Sequence, residues 1–100
     1  MKTTITEKDG KVIVAVKGEL DTNTSPQFAK DIAPVEEMKK ATVELDLSEL
    51  EYMSSKALRI IVSLQQAVLK NGGTLSISKV TETVREVFDM TGLTPSFFFD

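Results

Sequence analysis

The sequence predicts an α/β fold in which helices pack on a mixed sheet of four to five strands that starts with an antiparallel hairpin. Three observations lead there. The β-branched run Lys11-Val-Ile-Val-Ala-Val-Lys17 follows the tight-turn dipeptide Asp9-Gly10, which suits a hairpin. Val43, Leu45 and Leu47 alternate with polar neighbours, the period of a half-buried strand. Helical periodicity then alternates with further short strands, and strands separated by helices are expected to run parallel with right-handed crossovers. With 100 residues, no internal repeat and no linker, there is room for one core, so 1–100 is read as a single domain.

Taken in order, Thr3 to Glu7 and Lys11 to Lys17 should pair antiparallel, with Gly18 closing the second strand. Ser25 is expected to cap a helix whose first position is Pro26, where the missing N–H is best tolerated. Phe28, Ile32 and Val35 continue it at helical spacing, and Pro34 is expected to break or kink it near Ala33. A third strand spans Thr42 to Leu47. From Ser55 to Lys70 the stripe Leu58, Ile61, Leu64 and Val68 opposes Lys56, Arg59, Ser63, Gln66 and Lys70, the pattern of an amphipathic helix. Asn71-Gly72-Gly73 should end that helix. Thr74 to Ser78 reads as a fourth strand. Thr81 can cap a last helix with Val84, Val87 and Phe88 inward and Gly92 as terminator. Pro95 to Asp100 is read as a short edge strand or a tail, and its aromatics Phe97, Phe98 and Phe99 as a docking site or an association liability if exposed.

Composition narrows the function. Without cysteine or histidine the chain lacks thiol nucleophiles, thiolate metal sites, the commonest general base and the commonest metal ligand. An enzyme is therefore not expected, nor a cofactor or metal. The net charge of -3, from 15 acidic and 12 basic side chains spread along the chain, leaves no electrostatic footprint for nucleic acid. No signal-peptide pattern and no apolar run long enough for a bilayer is seen, so the expected place of action is the cytoplasm, without membrane insertion.

In open α/β sheets the functional surface forms beyond the carboxyl ends of the strands. Two such ends stand out, Gly18-Glu-Leu-Asp21-Thr-Asn23-Thr24 and Asp46-Leu-Ser-Glu-Leu-Glu-Tyr-Met-Ser54-Ser55. The second, continued by Leu58-Arg59 and taken with Gly18-x-Leu-Asp21, resembles the anti-sigma factor antagonists, which are single STAS domains. The resemblance covers nearly the whole chain. It implies a partner switch. Members of that family bind an anti-sigma factor that is also a serine kinase of the histidine-kinase-like ATPase fold, and thereby free the sigma factor. The kinase phosphorylates one serine and ends binding, and a metal-dependent serine phosphatase restores it. Position by position, Ser55 takes the acceptor's place, Ser54 the preceding place, and Asp21 the aspartate of the neighbouring loop. Asn23, Thr24, Lys56 and Arg59 complete the expected partner-binding set. Relatives usually carry glycine two residues after the acceptor. Here Ala57 stands there, small and a good helix former, so the helix start should be kept.

Each residue also has a plainer reading. Ser54 or Ser55 alone would pass for a helix cap, Asp21 for a turn residue, and Lys56 and Arg59 for a solvated face. Two other functions compete with the switch. A phosphorelay receiver would use Asp46 as acceptor near the end of a central strand, and Lys79 is available, but the acidic pair that binds magnesium after the first strand is missing. A STAS-type interaction subunit of a transporter or signalling scaffold would keep the fold and change the role.

Overall fold

The computed structural model describes residues 1–92 and the backbone of Phe98–Phe99. The elements are β1 (Lys2–Lys8), β2 (Lys11–Leu20), α1 (Ser25–Glu36), β3 (Thr42–Met53), α2 (Ser55–Lys70), β4 (Thr74–Val80), α3 (Glu82–Thr91) and β5 (Phe98–Phe99). They form one sheet in the order β1-β2-β3-β4-β5. β1 is antiparallel to β2, and every later pair is parallel. Asp9 and Gly10 both have positive φ, 52° and 79°, the turn geometry whose twist matches that of paired strands.

A strand order that follows the sequence, with crossovers all of one hand, puts every helix on the same side of the sheet. Burial follows that rule. Val12, Val14 and Val16 of β2, Val43, Leu45 and Leu47 of β3, and Leu75 and Ile77 of β4 belong to one buried cluster with the helical side chains. Phe28, Ile32 and Val35 join it from α1, Leu58, Ile61, Leu64 and Val68 from α2, and Val84 and Phe88 from α3. The expected stripe of α2 is therefore the core face, and Lys56, Arg59, Ser63, Gln66 and Lys70 are exposed as expected. Ala57 and Gln65 of α2 are buried as well, and Val87 of α3 is half-buried. The opposite face of the sheet carries Ile13, Ala15, Glu44, Asp46 and Ser76, all half-buried, with Lys11 and Glu44 3.9 Å apart across neighbouring strands.

Three sequence expectations need correction. The α1 helix starts at Ser25, one residue early, with Thr24 in the cap position and no side-chain cap bond. Ser25 is no cap because its hydroxyl, fully buried, donates back to the Asp21 carbonyl. Pro34 does not break α1, which continues to Glu36. Pro34 and Lys30 both lie on the exposed side, where water can meet the carbonyl that loses its donor, and the helix ends soon afterwards. Finally, β2 and β3 run to Leu20 and Met53, past Lys17 and Leu47, and their pairing continues there with two shifts of register that break the alternation a sequence reading follows. At the other end, Phe98 and Phe99 pair with Ser76 and Ile77, so the edge-strand reading holds for those two residues. Pro95 to Phe97 and Asp100 lie outside the described residues, and with them the reading of the aromatics as a docking site.

The turn after α2 joins both layers. Gly72 (φ 81°) and Gly73 donate to the Leu69 and Val68 carbonyls at 3.0 and 2.9 Å, which closes the helix. Asn71 donates to the Glu36 carbonyl at 2.8 Å and accepts from Lys39 at 3.0 Å. A Cβ on Gly73 would collide with the Ala41 carbonyl and sit 2.9 Å from the Ala41 nitrogen. Gly73→Ala is therefore expected to destabilise the fold by about 1–3 kcal/mol, read as a lower midpoint in urea. An unchanged midpoint would mean that this close approach is not a constraint.

Candidate functional site

The site is built by the parallel seam between β2 and β3. Pairing runs in step from Lys11↔Thr42 to Ala15↔Asp46, then shifts twice and ends at Leu20↔Met53. At each shift β3 carries one more residue than β2, and such bulges bend and twist a strand. They also reset which residues face the helices. After Leu47 the next buried residues of β3 are Leu50 and Met53, at a spacing of three. The Ser54 N–H then donates to the Leu20 carbonyl at 2.8 Å. Two loops remote in sequence thus leave the sheet side by side.

In the first loop, the Asp21 carboxylate accepts from the backbone N–H groups of Asn23 and Thr24, both at 2.9 Å. The Thr24 hydroxyl accepts from the Asp21 N–H at 3.0 Å and gives its single proton to the Glu19 carbonyl at 2.9 Å. The Thr24 N–H, foremost, holds the Asp21 carboxyl below its ordinary value of 3.8, against a smaller opposing effect of burial. Asp21 and Thr24 are therefore committed to shaping the loop, and Asn23 is exposed at its tip.

In the second loop the adjacent serines divide two tasks. Ser54 is extended (φ -83°, ψ 163°), and its hydroxyl accepts from the Ala57 N–H at 3.2 Å, so it is the N-cap of α2. Ser55 is the first helical residue and is exposed. Its hydroxyl makes no hydrogen bond among the described residues. Ala57 is buried and its N–H donates to the Ser54 cap, so the helix start is kept as expected. Lys56 and Arg59 are exposed beside Ser55, and neither has an ion-pair partner among the described residues.

Two contributors escape a reading of the sequence. Tyr52, 46% exposed, pairs with Glu19 and places an aromatic ring at the same end of the sheet. Thr81, besides capping α3, donates its hydroxyl to the Leu50 carbonyl at 2.9 Å and ties the third helix to the bulged part of β3. The aromatic is visible in the sequence, but its place on the strand and its exposure are not, since those follow from the bulged pairing.

Asp46 does not lie near the end of its strand, because β3 continues to Met53. Its carboxylate accepts from the Ser48 hydroxyl at 2.6 Å and from the Ser48 N–H at 3.0 Å. The Ser48 hydroxyl is the main cause of its lowered pKa, with Lys79 adding a smaller attraction. Among the described residues no group of three acidic side chains is placed to hold a metal ion. No helix among them is long and apolar enough to cross a membrane.

Comparison with known proteins agrees with this architecture. The STAS domain family model matches residues 2–100. An anti-sigma-B factor antagonist of Staphylococcus epidermidis is 34% identical over 80 residues, covering 80% of this chain and 74% of that protein. The crystal structure of an anti-sigma factor antagonist from Mycobacterium paratuberculosis has a TM-score of 0.88 at 26% identity, over 98% of this chain and 83% of the other. The anti-sigma factor antagonist SpoIIAA in its unphosphorylated form gives a TM-score of 0.81 at 20% identity, over 99% and 88% of the two chains. The phosphorylated form of SpoIIAA from Bacillus gives 0.74 at 19% identity, over 99% and 91%. At those last two identities the likeness speaks to the fold.

The unequal tasks of the two serines have a measurable consequence. Ser54→Ala should cost about 1 kcal/mol through the lost cap, while Ser55→Ala should change stability by no more than about 0.5 kcal/mol. Equal losses in chemical denaturation would contradict the assignment. For Asp21, a depressed carboxyl stabilises the fold above its unfolded pKa and loses that contribution as pH falls through its folded pKa. Asp21→Ala should therefore lower the thermal midpoint at neutral pH, and the gap from wild type should close as acid protonates the carboxyl. A gap independent of pH would show that the charge contributes nothing.

Proposed function

We propose that this chain, which belongs to the STAS-domain family of anti-sigma factor antagonists, is a partner switch thrown at Ser55. In its unphosphorylated form it binds an anti-sigma factor that is also a serine kinase, through Asp21, Asn23, Thr24, Ser54, Ser55, Lys56 and Arg59. The kinase transfers the γ-phosphoryl group of ATP to the Ser55 hydroxyl: the serine oxygen–phosphorus bond forms, ADP leaves, and the hydroxyl proton passes to a base of the kinase. A metal-dependent serine phosphatase reverses the modification, and the cycle runs in the cytoplasm. This chain supplies the acceptor and the docking surface, and no catalytic group.

The observation that carries this reading is the exposed, unbonded Ser55 hydroxyl at the start of α2, next to the Asp21 loop. A phosphate there adds about -1.5 to -2 charge at pH 7. The fold tolerates it, because Ser55 is outside the core and Ser54 alone holds the cap. A partner packed on the neutral surface does not, because it would bury an uncompensated charge. The added charge therefore acts on binding and leaves the fold intact. SpoIIAA, of the same fold, has a phosphorylated form, which supports the same reading.

Incubation with a candidate partner kinase and ATP, followed by intact-mass measurement, tests the switch. One phosphate is expected on the wild type and on Ser54→Ala, and none on Ser55→Ala. Absence of phosphate from all three, with partner binding indifferent to ATP, would overturn the switch and leave a constitutive binding module.

A further inference from the structure

Ser55 and Arg59 stand four residues apart on the outward face of α2, both exposed. Residues at that spacing are neighbours on a helix surface, with Cβ atoms about 5–6 Å apart, whereas residues one apart are not. Lys56, although adjacent in sequence, therefore points elsewhere around the helix. Arg59 forms no ion pair among the described residues, so its guanidinium is free to take a new partner. The acidic groups at this end of the sheet are Glu19 at the end of β2, Asp21 on the neighbouring loop, and Glu49 and Glu51 on β3, and these repel an anion; Lys17, paired with Glu49, is a cation on the strand side.

We infer that Arg59 is the intramolecular clamp of a phosphate carried on Ser55. The inference rests on the proposed modification of Ser55 and adds how the modified state is held. A guanidinium offers a planar fork of donors that matches phosphate oxygens two at a time. Repulsion from the acidic groups and attraction from Arg59 favour the phosphate lying along the helix toward its second turn, against the pull of the free N–H groups at the helix start. Modification then alters two parts of the docking surface at once. It introduces an anion at Ser55, and it withdraws the cation that Arg59 presents to a partner in the unmodified protein.

The test places phosphoserine at position 55 during translation, so that no kinase is needed, and follows the phosphate by phosphorus NMR across a pH titration. Wild type is compared with Arg59→Gln, Arg59→Lys and, as a charge control at the far end of the same helix, Lys70→Gln. An attached cation favours the dianion, so the second ionisation in wild type should fall at lower pH than in Arg59→Gln, by roughly a few tenths of a pH unit. Arg59→Lys should recover part of the shift, Lys70→Gln should match wild type, and high salt should shrink the difference. Identical titrations of wild type and Arg59→Gln, or equal shifts in Arg59→Gln and Lys70→Gln, would overturn the clamp. These outcomes are independent of whether a kinase modifies Ser55: a missing shift removes the clamp and leaves the switch, and a missing kinase product does the reverse.

Discussion

The parallel seam between β2 and β3 is the constraint on which the site depends. Its regular half, from Lys11↔Thr42 to Ala15↔Asp46, aligns the apolar residues of both strands against the helices. Its irregular half carries the chain onward to Leu20↔Met53, and the hydrogen bond from Ser54 to the Leu20 carbonyl closes it. Without the two shifts Leu20 would lie opposite Glu51 instead of Met53, and the start of α2 would not reach its carbonyl. The Asp21 loop and the start of α2 would then have no common anchor. The bulges are thus what brings the two loops together at one end of an otherwise ordinary sheet.

Around that anchor, polar groups are committed in different degrees. Asp21 and Thr24 direct their hydrogen bonds into the loop itself, and Ser54 into the helix end. Ser55, Lys56, Arg59 and Asn23 are exposed. Hydrogen-bonded groups therefore surround exposed ones, an arrangement that would hold the proposed acceptor in a defined place. Tyr52 adds a large half-exposed ring to the same end of the sheet, and aromatic side chains of this kind are enriched where proteins meet.

How much of this is legible in the sequence follows from periodicity. The hairpin, the Val43-Leu45-Leu47 face and the α2 stripe can be read because each keeps an unbroken period of two or 3.6. The later parts of β2 and β3 cannot, because a bulge breaks the alternation: Leu47, Leu50 and Met53 are three apart, a spacing that belongs to no regular strand. Ser25 looks like a cap because serine followed by proline satisfies the local rule, and only the fold brings the Asp21 carbonyl to its hydroxyl. Asp21, Ser54 and Ser55 are legible from their motif and from the helix start. The link from Thr81 to Leu50 is not, since a single hydrogen bond between distant segments leaves no pattern in the chain.

The order in which the elements meet has a consequence for folding. Among the described strand pairs only β1 and β2 are joined directly by a short turn; Leu20 and Ser54, whose hydrogen bond closes the site, are separated by a whole helix and strand. Contacts between segments so far apart in sequence form slowly, because loop-closure entropy must be overcome before they stabilise anything. A nascent or partly unfolded chain can present the Ser54-Ser55 helix or the Asp21 loop, but not both in register. Recognition of the kind proposed, which needs the two together, would therefore be a check on the completed fold, and chains still on their way to it would not compete for the proposed partner.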